Sequence, residues 1–174
     1  EPQLFFLLKS LGCFISIFTS NTDELKFMKL IIGGDSNIGR SLSNFWSESG
    51  VEHHASTRQF KKKSKIRPFI DLESIYMPEM QPEYTAVVYC AGVTSLNACE
   101  SNSSVAYQVN VVGILALARH FSKSGTYQLL LSSDKVVSDK QPHTNRSTRD
   151  YPETEYGRQK FEAEKGILDI NNTG

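Results

Sequence analysis

Residues 28–39, which read Met-Lys-Leu-Ile-Ile-Gly-Gly-Asp-Ser-Asn-Ile-Gly, decide the fold class of this chain. The apolar run at 30–32 is typical of a short buried strand, and a glycine-rich turn follows it directly. The next segment, Ile38–Ser49, carries apolar residues at helical spacing. A strand, a glycine turn and a helix in this order predict the first unit of a doubly wound α/β fold. Such a turn can bind a pyrophosphate at the N-terminus of the helix.

The alternation of strand and helix recurs along the chain. Short apolar runs bounded by turn residues predict buried parallel strands at Val51–Ala55, Pro68–Ile70, Ala86–Cys90 and Leu129–Leu131. A second helical pattern, Val105–Ser122, precedes the last of these strands. We therefore predict a Rossmann-type doubly wound parallel sheet over residues 28–174, ending before a substrate domain.

The composition is that of one globular domain. The chain has 174 residues, and its 19 Lys and Arg balance 19 Asp and Glu. A formal net charge of zero provides no global attraction for nucleic acid or anionic lipid, so neither is an expected partner.

Cys13, Cys90 and Cys99 form no Cys-x-x-Cys pair and no even disulfide framework. We therefore expect no metal site and a reducing, cytoplasmic location.

The first 27 residues differ from the rest of the chain in amino-acid composition. Leu4–Phe18 is strongly apolar, but its 15 residues include Lys9 and Gly12. About 20 apolar residues are needed to span a bilayer, and the acidic flanks do not suit a signal peptide. We expect residues 1–27 to be a non-core extension without a membrane role, and the domain to start at Met28.

The end of the second predicted strand bears on which dinucleotide binds. An acidic residue at this point would bind the ribose 2′-hydroxyl of NAD. The sequence instead has Ser56, Thr57 and Arg58. Because a guanidinium binds phosphate through two hydrogen bonds, Thr57 and Arg58 favour NADP(H) over NAD(H). The lysine-rich segment 61–67 adds local positive charge, either as a solvated loop or in direct contact with phosphate.

Two further segments carry residues suited to proton transfer. Tyr156 and Lys160 are four residues apart on one predicted helix face, so the Lys160 ammonium can lower the pKa of the Tyr156 phenol. Ser133 follows the predicted strand Leu129–Leu131, at the carboxyl end where ligands of parallel sheets bind. Its hydroxyl can hydrogen-bond a substrate carbonyl, while Tyr156 acts as general acid or base.

With these segments in order, the sequence resembles the extended short-chain dehydrogenase/reductases, and among them the dTDP-4-dehydrorhamnose reductase group of sugar-nucleotide enzymes. Tyr89–Thr94, with Glu100, is similar to that family's Asn-Ala-Ala-x-x-Thr segment. Val109–Gly113 matches its Val-Asn-x-x-Gly helix. The resemblance covers residues 28–174, roughly the N-terminal half of such a protein.

The resemblance implies roles for individual residues. The family's catalytic positions correspond to Asn110, Ser133, Tyr156 and Lys160. The positions that bind the cofactor correspond to Gly33, Ser36, Asn37, Ile38 and Gly39 at the pyrophosphate, Thr57 and Arg58 at the 2′-phosphate, Asp71 and Leu72 near adenine, and Ala91, Gly92, Thr94 and Lys160 along the rest of the dinucleotide. The implied activity is NADPH-dependent reduction of a keto group on a nucleotide-linked sugar, by a protein that could form a homodimer.

Three departures from the family pattern qualify this expectation. Ser36 replaces the middle glycine and Tyr89 stands in place of the usual Asn, which predicts weaker cofactor binding. Lys135 stands where the dehydratase branch has a Glu, which argues against a dehydratase. A sugar-nucleotide epimerase and a non-catalytic, nucleotide-binding regulatory subunit stay open as alternatives. The joint presence of Ser133, Tyr156 and Lys160 favours an enzyme.

Overall fold

The computed structural model describes residues 28–78, 83–137 and 152–172. In these ranges the strands form one sheet, consisting of β1 Lys29–Ile32, β2 His53–Ala55, β3 Ala86–Tyr89 and β4 Tyr127–Leu130. All neighbouring strands are parallel, in the order β2-β1-β3-β4. The predicted α/β class with a parallel sheet is confirmed. The expectation for residues 1–27 concerns a segment outside the described residues.

Helices connect the strands and cover both faces of the sheet. The helix α1 (Asn37–Glu48) follows β1, and α2 (Leu96–Ser101) follows β3. The next helix begins as α3 (Ser103–Tyr107), passes through a π-helical segment (Gln108–Gly113) and continues as α4 (Ile114–Ser122). The last helix is α5 (Glu155–Asn172), and short 3₁₀ turns lie at Phe60–Lys62 and Asp134–Val136. None of the helices in the described ranges has the length and apolarity needed to cross a membrane.

One predicted strand is not formed. Pro68–Ile70 makes only an isolated parallel bridge, between Thr57 and Phe69, beyond the end of β2. The backbone N–H of Thr57 donates to the Pro68 carbonyl, and that of Ile70 donates to the Thr57 carbonyl. Proline has no N–H to extend such a ladder, so the segment pairs briefly and does not become a fifth strand.

The core lies on both faces of the sheet, because successive side chains of a strand point in opposite directions. Leu30 and Ile32 of β1 face one hydrophobic cluster, while Ile31 between them faces the other. The first cluster is filled by residues of α4 and α5, which include Leu117, Phe121 and Ile167. The second is filled by Leu42 and Trp46 of α1. This packing on both faces holds the parallel strands in place, so their carboxyl ends lie along one edge of the sheet.

Gly113 allows the π-helical segment to lie directly against a neighbouring loop. A Cβ at Gly113 would lie 2.4 Å from the carbonyl oxygen of Leu72 and 2.8 Å from the Leu72 Cβ. No real side chain tolerates such contacts with backbone, so either the helix or the loop would have to move. The same π-helical segment contains Asn110, and such segments often occur near functional sites.

We predict that Gly113→Ala lowers the free energy of unfolding by about 3 kcal/mol, the upper range for overpacking against a backbone that cannot retreat. The control is Gly50→Ala. Gly50 has open space around it but a φ of +69°, so this change introduces only left-handed strain. That strain costs about 1 kcal/mol. Urea denaturation of both variants measures the difference, and a loss in Gly113→Ala no larger than in Gly50→Ala contradicts the close contact.

Candidate functional site

The glycine-rich turn after β1 fits tightly against the loop that follows β3. Gly33 has a φ of +90°, and a Cβ there would lie 2.6 Å from the backbone nitrogen of Ala91. A Cβ at Gly39 would lie 2.2 Å from the carbonyl oxygen of Gly33. Glycine is therefore required at both positions. The result is a side-chain-free backbone cradle at the N-terminus of α1, as a pyrophosphate requires.

Ser36, which stands in place of the family's middle glycine, caps α1. Its backbone is extended, and its Oγ accepts a hydrogen bond of 3.0 Å from the backbone N–H of Gly39. Serine is among the best residues for this position. The serine that departs from the glycine pattern thus stabilises the start of α1. The first residues of that helix, Asn37 and Ile38, are exposed beside the cradle. Weaker cofactor binding because of Ser36 stays a prediction.

Ser56 attaches the same turn to the end of β2. The backbone N–H of Gly33 donates to Ser56 Oγ, and that of Gly34 donates to the Ser56 carbonyl, both at 2.9 Å. Ser56 is buried. Its hydroxyl is therefore used within the protein. The Ser-Thr-Arg sequence after β2 gave no sign of which hydroxyl would do this.

The carboxylate of Asp35 lies among hydrogen-bond donors at the end of β2. Asp35 Oδ2 accepts from Thr57 Oγ1, and Oδ1 accepts from the Arg67 guanidinium, both at 2.6 Å. The backbone N–H of Arg58 lies close enough to help lower the pKa of Asp35, while the Arg58 side chain is exposed. Burial alone would raise the pKa of Asp35, but the Thr57 hydroxyl and the Arg67 charge together lower it. Asp35 lies in the glycine-rich turn and Arg67 in the basic segment 61–67, but neither motif indicated that the two side chains meet.

Asp71 and Leu72 belong to a tight turn between Asp71 and Tyr76. Asp71 Oδ1 accepts from the backbone N–H of Glu73 at 3.1 Å, and Oδ2 accepts from Ser74 Oγ at 2.7 Å. Leu72 is buried in the core. The Asp71 carboxylate thus holds its own turn, and the implied contact with adenine stays a prediction.

Asn110 fixes the loop after β3. Its Oδ1 accepts from the backbone N–H of Val93 at 2.7 Å, and its Nδ2 lies 2.9 Å from both the Val93 carbonyl and Gln159 Oε1, to which it donates. Ala91, Gly92 and Thr94 lie on this loop. The amide is therefore engaged in positioning the loop against α5. A part for Asn110 in proton transfer stays a prediction.

Tyr89 points away from this loop. It is 1% exposed, and its hydroxyl donates to Gln128 Oε1 at 2.6 Å inside the core. Burial raises the pKa of Tyr89. The residue that borders the glycine turn is Ala91, so the expected effect of Tyr89 on cofactor binding finds no support in its position.

Ser133 and Tyr156 come together beyond the carboxyl end of β4. The Ser133 hydroxyl lies close enough to the Tyr156 phenol to lower the pKa of Tyr156. Ser133 Oγ also donates to Asp134 Oδ1 at 3.0 Å and accepts from the backbone N–H of Lys135 at 3.3 Å. A Cβ at Gly157 would lie 2.2 Å from the Lys135 carbonyl oxygen, so the glycine lets α5 approach this loop. The predicted juxtaposition of serine and tyrosine is therefore present.

Lys160 does not act on Tyr156 as the sequence spacing suggested. Its Nζ donates to the Leu131 carbonyl at 2.5 Å, and burial lowers the pKa of Lys160. Burial, together with the nearby Asp134, raises the pKa of Tyr156, although the Ser133 hydroxyl opposes this shift. In this structure the Lys160 ammonium is directed at a backbone carbonyl, and a lowering of the Tyr156 pKa by Lys160 stays a prediction.

These groups form one continuous edge across the carboxyl ends of the strands. The Asp35 cluster lies beyond β2, the glycine cradle between β1 and the β3 loop, and the Ser133–Tyr156 pair beyond β4. The cradle and the helix N-terminus suit a dinucleotide pyrophosphate. In residues 28–78, 83–137 and 152–172, no group of three or more His, Cys, Asp or Glu could hold a metal ion.

A family model described as the RmlD substrate binding domain matches residues 28–173. The chain belongs to this family. One curated relative of this chain is methionine adenosyltransferase 2 subunit beta from Rattus norvegicus. It is 27% identical over 150 residues, which are 83% of this chain and 43% of the relative. The chain therefore spans less than half the length of that relative.

Solved structures share the fold. The dTDP-4-dehydrorhamnose reductase from Bacillus anthracis, in complex with NADP, aligns with a TM-score of 0.71 at 17% identity and covers 87% of this chain and 52% of its own. The UDP-glucose 4-epimerase from Thermus thermophilus, in complex with NAD, aligns with a TM-score of 0.66 at 18% identity, over 84% of this chain and 51% of its own. The predicted Rossmann-type fold and the resemblance to the reductase group are thus confirmed.

We predict that Ser36→Ala lowers the free energy of unfolding by about 1 kcal/mol, because the Gly39 N–H loses its capping partner. Ser36→Gly is the matched control, since it restores the glycine of the family pattern. Glycine is tolerated at a helix N-cap, so this change costs only roughly a few tenths of a kcal/mol. Equilibrium urea denaturation compares the two variants, and equal losses refute the capping role of Ser36.

Proposed function

We propose that this chain binds NADP(H) for a protein that reduces a keto group on a nucleotide-linked sugar. The observation that carries the proposal is one sheet edge with the glycine cradle at Gly33–Gly39 and the neighbouring Ser133 and Tyr156 beyond β4. The likeness of fold to a dTDP-4-dehydrorhamnose reductase in complex with NADP supports it. The bound nicotinamide supplies the hydride that reduces the carbonyl carbon.

The residues that would hold the dinucleotide follow the order of the strands. The backbone of the Gly33–Gly39 turn and the N-terminus of α1 bind the pyrophosphate. Thr57, Arg58 and Arg67 are the candidates for the 2′-phosphate, because hydroxyl and guanidinium groups are good phosphate donors. The loop Ala91–Thr94, held by Asn110, lines the dinucleotide on the way to the reacting groups.

Tyr156 donates its proton to the carbonyl oxygen as negative charge develops there. The phenol is protonated at neutral pH, as a general acid for a reduction must be, since the pKa of Tyr156 lies above the usual value for tyrosine. Ser133, next to Tyr156, turns its hydroxyl proton from Asp134 to the same oxygen and orients it. The interaction strengthens with the charge on the oxygen, so it favours the transition state over the bound ketone.

Lys160 is proposed to bind the ribose hydroxyls of the nicotinamide nucleoside. It is buried on the α5 face next to the end of β4, and its Nζ already donates to the Leu131 carbonyl. An ammonium has three donors, so the contact with Leu131 leaves it able to donate to hydroxyl oxygens as well. Its role in this proposal is to bind and orient, with Tyr156 as the proton donor.

A non-catalytic, nucleotide-binding subunit is the second candidate function. The specific observation in its favour is the 27% identical rat relative, whose name is that of a subunit of methionine adenosyltransferase 2. An epimerase is the third, since the fold is shared with a UDP-glucose 4-epimerase in complex with NAD. NAD(H) is accordingly the alternative cofactor. The joint presence of Ser133, Tyr156 and Lys160 favours the reductase, because a pure binding protein does not need a proton donor.

The proposal includes a nucleotide-linked sugar as the substrate partner and a cytoplasmic location. The free thiols of Cys90 and Cys99 support that location, since thiols persist in a reducing compartment. Formation of a homodimer stays a prediction.

We predict that Tyr156→Phe, in the protein that carries this chain, slows hydride transfer at least about 100-fold, because a general acid contributes 10²–10⁴-fold. NADPH affinity is expected to be unchanged, since the phenol proton is needed only as charge develops on the oxygen. Lys160→Ala should weaken both NADPH binding and turnover. Stopped-flow measurement of NADPH absorbance with a keto sugar nucleotide gives the rates, and calorimetry gives the affinities.

Tyr107→Phe is the matched control, because the Tyr107 hydroxyl donates to Glu162 on the exposed surface, away from the Ser133 loop. It should retain the rate of the unmodified protein. If Tyr156→Phe also stays within a few-fold of that rate, the reductase mechanism is wrong. NADPH binding without any turnover would make the regulatory subunit the better proposal.

A further inference from the structure

The donors around Asp35 form an anion site that the protein fills with its own carboxylate. The hydroxyl of Thr57 and the guanidinium of Arg67 donate to this one group, and the backbone N–H of Arg58 is close enough to help lower its pKa. Hydroxyl, guanidinium and backbone N–H are also the donors that recur in phosphate sites. Asp35 therefore lies where an external phosphate would find its hydrogen bonds.

The guanidinium of Arg67 has binding capacity that Asp35 does not use. One terminal nitrogen of Arg67 donates to Asp35 Oδ1, while the Nε of Arg67 is buried and has no hydrogen-bond partner. A guanidinium normally binds carboxylate or phosphate through two parallel hydrogen bonds. The single contact with Asp35 thus leaves unmade a hydrogen bond that a second anion oxygen could supply.

The local charge also favours an anion at this position. Residues 53–70 contain no Asp or Glu, and six Lys and Arg occur between Arg58 and Arg67. The carboxylate that faces them comes from the glycine-rich turn, 32 residues before Arg67. The side chain of Asp35 is 24% exposed and that of Arg67 is 39% exposed, so a ligand at the adjacent end of the cradle can reach both groups.

We propose that Asp35 sets the cofactor specificity by competing with the 2′-phosphate of NADP(H) for Thr57 and Arg67. This inference rests on the proposed binding of a nicotinamide dinucleotide. A phosphate beside an ionised Asp35 meets a like charge and finds its donors already engaged. A ribose 2′-hydroxyl, in contrast, can donate to the carboxylate, so NAD(H) binds with Asp35 in place. Asp35 therefore reduces the difference in affinity between NADP(H) and NAD(H). Without Asp35, the donors Thr57, Arg58 and Arg67 would favour NADP(H) more strongly.

The test compares ligands that differ only in the 2′-phosphate, with Asp35→Asn as the variant. The ligands are 2′,5′-ADP against 5′-AMP, and NADPH against NADH, titrated by calorimetry. Asp35→Asn keeps an oxygen for Thr57 but removes the charge. We expect about tenfold tighter binding of 2′,5′-ADP and NADPH, the size of one like-charge contact in a partly solvated site. Binding of 5′-AMP should be unchanged, and binding of NADH should be unchanged or weaker.

Two further variants assign the effect to its cause. Glu52→Gln removes an exposed carboxylate just before β2, and it should leave all four affinities unchanged although it alters the net charge equally. Arg67→Gln should weaken the binding of 2′,5′-ADP but not that of 5′-AMP. In the double variant the gain from Asp35→Asn should be smaller, because Arg67 is one of the two donors that Asp35 occupies. Thermal unfolding checks that each variant is folded, and Asp35→Ser replaces Asp35→Asn if that variant is not.

The results separate this inference from the proposed function. If the unmodified protein binds neither NADPH nor NADH, the proposed function fails, while 2′,5′-ADP against 5′-AMP still tests Asp35. The inference is overturned if neutralising Asp35 weakens the binding of 2′,5′-ADP or leaves that ligand unbound. It is also overturned if the affinity for 5′-AMP changes by the same factor as the affinity for 2′,5′-ADP. It is also overturned if the gain is just as large without Arg67.

Discussion

The close approach of two backbone segments, the turn at Gly33 and the loop at Ala91, is the constraint on which the rest of the site depends. A single Cβ at Gly33 would lie 2.6 Å from the Ala91 nitrogen, and the φ of Gly33 is +90°. With that contact made, α1 starts beside the sheet edge and Ser36 caps it. The cradle is therefore a consequence of strand packing, because the buried β1 and β3 bring these two turns together.

Many polar side chains at this edge hold the protein's own backbone. Ser56 holds the glycine turn, Asn110 holds the loop at Val93, and Lys160 holds the end of β4 at Leu131. Buried polar groups need such partners, and in return they fix the loops that border a ligand. The side chains of Ser133 and Tyr156 are half-buried at the end of the edge beyond β4.

Patterns that depend on neighbouring residues were readable from the sequence, while contacts between distant loops were not. The apolar runs at β1 and β3 and the helical spacing after Ser36 predicted the sheet and α1, because burial dictates them. Pro68–Ile70 has the same apolar character but pairs through a single bridge, and Pro68, which has no N–H for a ladder, was the signal against a strand there. The four-residue spacing of Tyr156 and Lys160 gave a shared helix face but not the direction of the ammonium. Asp35 and Arg67, 32 residues apart, meet only through the conformations of two loops.

The central claim is that the carboxyl edge of this sheet binds a nicotinamide dinucleotide, and hydrogen exchange with and without NADPH tests it most directly. Bound dinucleotide should slow the exchange of backbone amides in the turn at Gly33–Gly39 and in the loop at Ala91–Thr94, with a smaller effect beside Ser133. Amides at the opposite edge, such as those of Ser122–Gly125 after α4, should exchange as before. Slower exchange confined to that opposite edge, or no change anywhere at saturating NADPH, would contradict the account.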